Sequence, residues 1–113
     1  MLADEGNLNE AESMQRQALG IRRHLFGETN LEVAGSLNNL GGILQKENKL
    51  PEAESSVRQA LAIERLPLKP DHEDVLGSLS TLAAILGNER KWQEAETVQR
   101  ETLAVQEQSS ENI

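Results

Sequence analysis

The sequence predicts an all-α fold, a solenoid of antiparallel helix hairpins. Three observations support this prediction: a segment recurs at a fixed offset, apolar residues follow the helical period, and aromatic residues are almost absent. The 113 residues include one Phe, one Trp and no Tyr. We therefore expect a core of aliphatic side chains, among which Leu and Ala are strong helix formers.

The repeat is 42 residues long. Glu10-Ala11-Glu12-Ser13 returns as Glu52-Ala53-Glu54-Ser55 and again, with one change, as Glu94-Ala95-Glu96-Thr97. Residues 3–44 and 45–86 are identical at 19 of 42 positions, far more than chance allows. The chain is therefore expected to hold about 2.5 units in a single domain spanning 1–113. These are a partial unit at 1–26, a unit at 31–66 and a unit at 73–108.

Each complete unit contains two helices, called here A-type and B-type in chain order. The A-type stripe Val33-Leu37-Leu40-Leu44 steps by 4, 3 and 4 residues, and Val75-Leu79-Leu82-Leu86 repeats those steps. This spacing places the apolar side chains on one face of a helix. The expected helices alternate B, A, B, A, B: Asn9 to Phe26, Leu31 to Glu47, Pro51 to Leu66, Glu73 to Asn88, and Trp92 to Gln108.

The helix ends follow from turn chemistry. Pro51 suits a first helical turn, where its missing N–H has no partner to lose. Gly27 is expected to end the first helix, since glycine adopts the left-handed conformation of many helix C-termini. Pro67 and Pro70 cannot continue a helix and mark the linker to the fourth one.

Charge and composition exclude several classes of function. Nineteen acidic and eleven basic residues give a formal charge of −8, which disfavours nucleic acid and anionic membrane surfaces. No signal peptide and no apolar run of the ~18 residues that span a membrane is found. The absence of cysteine excludes disulfides and thiolate metal sites. A cytoplasmic protein is expected.

No constellation of catalytic or metal-binding residues stands out, so we expect neither an enzyme nor a cofactor. His24 and His72 fall at different places in the repeat. Gly41-Gly42 lies in a helix and is not followed by the Lys-Ser/Thr of a phosphate loop. The recurrent acids are predicted to form exposed i,i+4 pairs with arginine. These pairs are Glu12–Arg16, Glu54–Arg58 and Glu96–Arg100.

The sequence resembles the tetratricopeptide repeat family. The family pattern of large and small residues maps onto Leu37, Leu40-Gly41, Leu44, Leu50, Ala53, Val57 and Ala60. The common unit has 34 residues, and the longer unit here, with Ser36-Leu37-Asn38-Asn39-Leu40, looks like the kinesin light chain type. Gln15, Gln99 and Thr102 depart from the pattern. The resemblance implies a right-handed α-α superhelix.

The resemblance also implies that the A-type helices line a concave groove. Its positions, including Gly35 and Gly77, are small and polar and lack the repeated Lys and Arg of a carboxylate clamp. We hypothesise that the groove accepts an extended segment or a helix of a partner protein; an unused, solvated inner face is the alternative. The residues assigned to partner binding are Asn38, Gly42, Gln45, Lys46, Ser80, Ala84 and Asn88.

Two functions remain open from the sequence. The first is a non-catalytic protein-interaction scaffold that binds a protein or peptide. The second is a structural spacer or self-association segment of a longer array. Because Met1 to Ala3 correspond only to the end of an A-type helix, the first helix is expected to bury its apolar side in a homo-oligomer or to distort.

Overall fold

The computed structural model describes residues 5–111 as five α-helices. Consecutive helices pack against each other in chain order, and α2 also contacts α4. All regular structure in this part of the chain is helical, so the predicted all-α solenoid of helix hairpins is confirmed. The helices are α1 (Glu5–Phe26), α2 (Leu31–Lys46), α3 (Leu50–Glu64), α4 (Glu73–Asn88) and α5 (Trp92–Glu111).

The two A-type helices, α2 and α4, supply the centre of the core. The stripe Val33-Leu37-Leu40-Leu44 is at most 3% exposed, and the stripe Val75-Leu79-Leu82-Leu86 is at most 2% exposed. The B-type helix α3 adds buried Val57, Ala60 and Leu61. The helical period read from the sequence is therefore confirmed on both A-type helices.

Two tight turns make α2/α3 and α4/α5 antiparallel hairpins. Asn48 and Arg90, 42 residues apart, both adopt the left-handed conformation, with φ of 62° and 64°. The Lys49 N–H then donates to the Leu44 carbonyl at 2.8 Å, and the Lys91 N–H donates to the Leu86 carbonyl at 2.9 Å. These bonds satisfy carbonyls at the helix ends that would otherwise lack partners.

The linkers between units carry caps at equivalent positions. Asn30 Oδ1 accepts from the Glu32 N–H at 2.8 Å, and His72 Nδ1 accepts from the Asp74 N–H at 3.0 Å. Each side chain satisfies one of the free donors at the start of an A-type helix. The predicted stop at Gly27 is also confirmed, since this residue has a φ of 87°.

Some helix bounds differ from the prediction. α4 has the predicted bounds, but α3 ends at Glu64 instead of Leu66, because Pro67 disfavours helical backbone at the residue before it. α5 continues to Glu111. α1 starts at Glu5, four residues before the predicted Asn9.

The early start of α1 includes a position that is a turn in the other units. Gly6 stands in register with Asn48 and Arg90 but is helical, with a negative φ. The expectation that Met1 to Ala3 form the end of an A-type helix concerns residues outside those described.

α2 and α3 approach each other closely at Gly41. A Cβ at Gly41 would lie 2.6 Å from Val57 Cγ2, and Val57 is fully buried. The predicted need for a small residue at Gly41 is therefore met. The third unit has Ala83 and Gln99 in these two places, where the exposed Gln99 side chain leaves room for a methyl group.

Alanine substitutions at Gly41 and Gly42 should shift stability in opposite directions. Gly41→Ala should destabilise the protein by about 1–3 kcal/mol, because the stiff Val57 side chain cannot move away from the new methyl group. Gly42→Ala should stabilise it by about 1 kcal/mol, because nothing lies within 4 Å of the new Cβ and alanine favours helix. Urea denaturation of the two variants measures both effects; midpoints moving in the same direction would contradict the packing described.

Candidate functional site

A cleft of about 410 Å³ lies between the two A-type helices. Gly35 of α2 and Gly77 of α4 are both exposed, and no atom lies within 4 Å of a Cβ built on either one. A peptide backbone can therefore approach both helices closely at these points. This surface is called the inner cleft, and its lining residues are Leu31, Gly35, Asn38, Asn39, Glu64, Glu73, Asp74, Gly77, Ser78 and Thr81.

The floor of the inner cleft is a hydrogen-bonded triad of Glu64, Asn38 and Ser78. Glu64, in the last turn of α3, is only 3% exposed. Its carboxylate accepts from Asn38 Nδ2 at 3.0 Å and from Ser78 Oγ at 2.8 Å. Asn38 Nδ2 also donates to Ser78 Oγ at 2.9 Å. The triad therefore joins α2, α3 and α4.

The inner cleft is acidic. Its lining includes Glu64, Glu73 and Asp74 but no Lys or Arg. Burial raises the pKa of the Glu64 carboxyl, against the hydrogen bonds from Ser78 and Asn38, and the nearby Asp74 raises that pKa further while His72 lowers it. A carboxylate that is buried without a cationic partner is costly, so this cleft favours positive charge.

The junction between α1 and α2, which is equivalent to the junction between α3 and α4, carries the opposite charge. Arg22 stands in register with Glu64, and Ser36 stands in register with Ser78. Arg22 Nη1 donates to Ser36 Oγ at 2.5 Å. Both junctions thus have a serine at this repeat position, and its hydrogen-bond partner on the B-type helix is a cation in one junction and an anion in the other.

The predicted partner-binding residues do not form one surface. Asn38 lies in the inner cleft, but both bonds of its amide group go to the triad, and its Oδ1 is buried without a hydrogen-bond partner. Gly42 and Gln45 are half-buried on α2, whereas Lys46 and Asn88 are exposed at the ends of α2 and α4.

Ser80 and Ala84 lie on a different surface, which opens between α4 and α5. This cleft measures about 470 Å³. It is called the α4–α5 face, and its lining residues are Ser80, Ala83, Ala84, Gln99, Thr102 and Leu103.

Sequence reasoning missed the acidic residues of the inner cleft. Glu64 follows the buried Ala60 by four residues and Leu61 by three, a spacing that places it on the apolar side of α3. A charged residue on that side was the available signal. Glu73 marks only the predicted start of the fourth helix, and the position of Glu73 and Asp74 beside Glu64 depends on how the units stack.

Side chains of the B-type helices and of the hairpin turns form a repeated ion network. Glu12 accepts from Arg16 Nε at 2.7 Å and from Lys49 Nζ at 2.9 Å. Forty-two residues later Glu54 accepts from Arg58 and Lys91 at the same two distances. The i,i+4 pairs predicted from the sequence are confirmed, the third being Glu96–Arg100 at 3.0 Å. Only the third is fully exposed as predicted, because the Glu12 and Glu54 side chains are 14% exposed.

Each network contains two carboxyl groups with opposite pKa changes. Hydrogen bonds from Lys49 and Arg16 lower the pKa of Glu12 to about 2. Burial raises the pKa of Glu47 beside it, and the negative charge of Glu12 raises it further. Although burial works against it, hydrogen bonds from Lys91 and Arg58 likewise lower the pKa of Glu54 to about 2. In both units the glutamate with the lowered pKa is therefore held by a lysine and an arginine of the chain itself.

Within residues 5–111, none of the helices has the length and apolar character needed to cross a membrane. The same part of the chain brings together no group of three or more His, Asp or Glu side chains that could hold a metal ion.

The hairpins, their left-handed turns and their small-residue contact at Gly41 define a class of helical repeat. A sequence model described as tetratricopeptide repeat matches residues 1–65 and 32–108. The chain therefore belongs to the tetratricopeptide repeat family.

Two solved structures have a similar architecture. The chain is similar to a crystal structure of a Podosopora anserina putative kinesin light chain with nearly identical TPR-like repeats, at 23% identity and a TM-score of 0.83. The Q17M form of that protein matches at 22% identity with the same TM-score. Both alignments cover 92% of this chain and 49% of the other, so this chain spans about half their length. No curated protein sequence matches it significantly.

The buried Glu64 should make stability fall as pH rises. Its pKa in the folded state is raised above the ordinary value of 4.5, so the folded protein holds this proton more tightly than the unfolded chain. The unfolding free energy of wild type minus that of Glu64→Gln should therefore be largest at acid pH and decrease as Glu64 ionises. Urea denaturation of both proteins between about pH 4 and pH 8 gives this difference.

The exposed Glu107→Gln variant corrects this comparison for the loss of one charge. A wild-type-minus-Glu64→Gln difference that is flat with pH, or that Glu107→Gln reproduces, would show that the carboxyl is not desolvated in the folded state.

Proposed function

We propose that this chain is a non-catalytic protein-interaction scaffold whose inner cleft holds a partner segment carrying Lys or Arg. The observation that carries the proposal is the three carboxylates of Glu64, Glu73 and Asp74 in a lining without Lys or Arg. The formal charge of −8 adds a longer-range attraction for a basic segment. The same proposal includes a cytoplasmic location and no binding to nucleic acid or to anionic membranes.

The shape of the inner cleft favours an extended backbone. Gly35 and Gly77 both line it without side chains, and amides such as Asn39 can donate to and accept from a peptide. The exposed Glu73 and Asp74 would pair with the partner's cations at the rim. The triad below them would stay intact, since Asn38 and Ser78 already fill both oxygens of Glu64.

Removing the two rim charges should weaken binding of basic peptides. Glu73→Gln with Asp74→Asn should reduce the affinity for a Lys/Arg-bearing peptide roughly 2- to 30-fold, at about 0.2–1 kcal/mol for each exposed charge pair. Binding to wild type should also weaken at higher salt. Fluorescence anisotropy with labelled basic, neutral and acidic peptides of equal length measures both effects.

The matched control removes two carboxylates elsewhere. Glu10→Gln with Glu107→Gln makes the same charge change at two exposed places on α1 and α5 and should leave peptide affinity nearly unchanged. An equal loss in both double variants, or equal affinity for the neutral peptide, would reject the inner cleft as the site of recognition.

Self-association is the second candidate function, and an independent observation favours it. Met14, Ile21 and Leu25 of α1 are 65%, 59% and 65% exposed, which is unusual for large apolar residues on one helix face. A structural role in an assembly of copies would cover them.

A further inference from the structure

Two faces of the repeat are uncovered in the described chain, and the first is on α1. Met14, Ala18, Ile21 and Leu25 form the α1 stripe, on a different side of the helix from Leu19, which packs in the core. In the other units the places equivalent to Met14, Ala18 and Ile21 are buried or half-buried, whereas Pro67, in register with Leu25, is exposed. Ile63, in register with Ile21, is 7% exposed, and Val98, in register with Met14, is 8% exposed.

The second uncovered face is the α4–α5 face. Leu103 is 59% exposed there, whereas Leu61, the residue in register with it, is 5% exposed. The difference arises because α4 packs on α3, while nothing among residues 5–111 packs on α5 in the same way. The places in register with this face are Asn38, Gly41, Gly42, Val57, Ala60 and Leu61. Among them, Asn38 donates to Ser78 of α4.

The α1 stripe has the spacing of the helix that fills this kind of surface. Met14-Ala18-Ile21-Leu25 steps by 4, 3 and 4 residues, and so does the buried stripe Val75-Leu79-Leu82-Leu86 of α4. We propose that the α1 stripe of one copy docks on the α4–α5 face of a second copy, in the way that α4 docks on α2 and α3. This proposal rests on the self-association function and names the two surfaces that it uses.

Polar side chains fit the docked arrangement. Aligning the α1 stripe with the α4 stripe places Gln17 where Ser78 stands, and Gln106 stands in register with Glu64. Ser78 and Glu64 are hydrogen-bonded within the chain, and two glutamine amides can each donate and accept in the same way. Thr102 already donates to the Val98 carbonyl at 2.9 Å, so its hydroxyl does not oppose burial.

The proposed contact joins different surfaces, so it propagates. Each copy offers one α1 stripe and one α4–α5 face, and the resulting head-to-tail assembly does not stop at two copies. Copies with a charge of −8 repel each other. Association should therefore strengthen with salt, which is opposite to the salt dependence expected for basic peptides at the inner cleft.

Complementary variants test the pairing. Ile21→Glu blocks the α1 stripe, and Leu103→Glu blocks the α4–α5 face. Sedimentation velocity of the full chain, at increasing concentration, should show wild type growing beyond dimer and each variant alone with an association constant reduced at least about tenfold. An equimolar mixture of the two variants should form a dimer and nothing larger, because the mixture holds only one compatible pair of faces.

Other outcomes overturn the proposal in distinguishable ways. If Leu103→Glu associates like wild type while Ile21→Glu does not, the α1 stripes pair with each other; self-association then stands and the head-to-tail contact is wrong. A monomeric mixture, or a wild type that remains monomeric, also rejects the contact. Leu66→Glu, which changes another exposed leucine in the α3–α4 linker, should leave association unchanged, and circular dichroism should show that all variants keep their helices.

Discussion

Burial of the A-type helices between B-type helices is the constraint on which the rest of this structure depends. α2 and α4 lose almost all the exposed surface of their Val and Leu stripes, and they do so only because a helix lies on each side. The B-type helices follow from this rule. α3 has an A-type helix on both sides and is well buried, whereas α1 and α5 each have one such neighbour and keep large apolar side chains in solvent.

Polar residues adapt this common frame to each junction between units. Ser36 and Ser78 occupy one repeat position on the A-type helices, and their partners are a cation in one unit and an anion in the next. The exchange leaves the apolar packing unchanged, because Arg22 and Glu64 both reach the serine from the last turns of a B-type helix. The charge at this repeat position therefore differs between the two junctions while the arrangement of the helices stays the same.

The periodicity of the apolar residues was enough to predict the fold. The 4, 3, 4 stripe, Gly41 and the family pattern located the helices, and α4 has its predicted bounds. The inner cleft could be predicted only in part. The resemblance places Gly35, Asn38 and Gly77 on one surface. Glu64 reaches that surface from a B-type helix, and the periodicity of α3 places it on the apolar side without indicating which cleft it lines.

The division of the assigned residues between two clefts has a similar cause. Ser80 was placed beside Asn38 because the two share a repeat position. In the structure they lie on successive units. Asn38 contacts α4 of the next unit, whereas Ser80 lines the open α4–α5 face. Equivalent positions therefore have unequal surroundings, which depend on the number of neighbours and not on the residue itself.

The ion network on the B-type helices links successive units of the chain. Arg16 and Arg58 reach forward to a glutamate 36 residues later, at 3.3 and 3.2 Å, and Lys49 and Lys91 reach back to a glutamate 37 residues earlier. Every such link spans one unit boundary and no more. The repeat is therefore modular. An additional copy of the 42-residue unit, inserted in phase, would form the same Arg–Glu and Lys–Glu links with the units before and after it. Arrays of different length could thus arise by duplication of this unit, with each boundary stabilised in the same way.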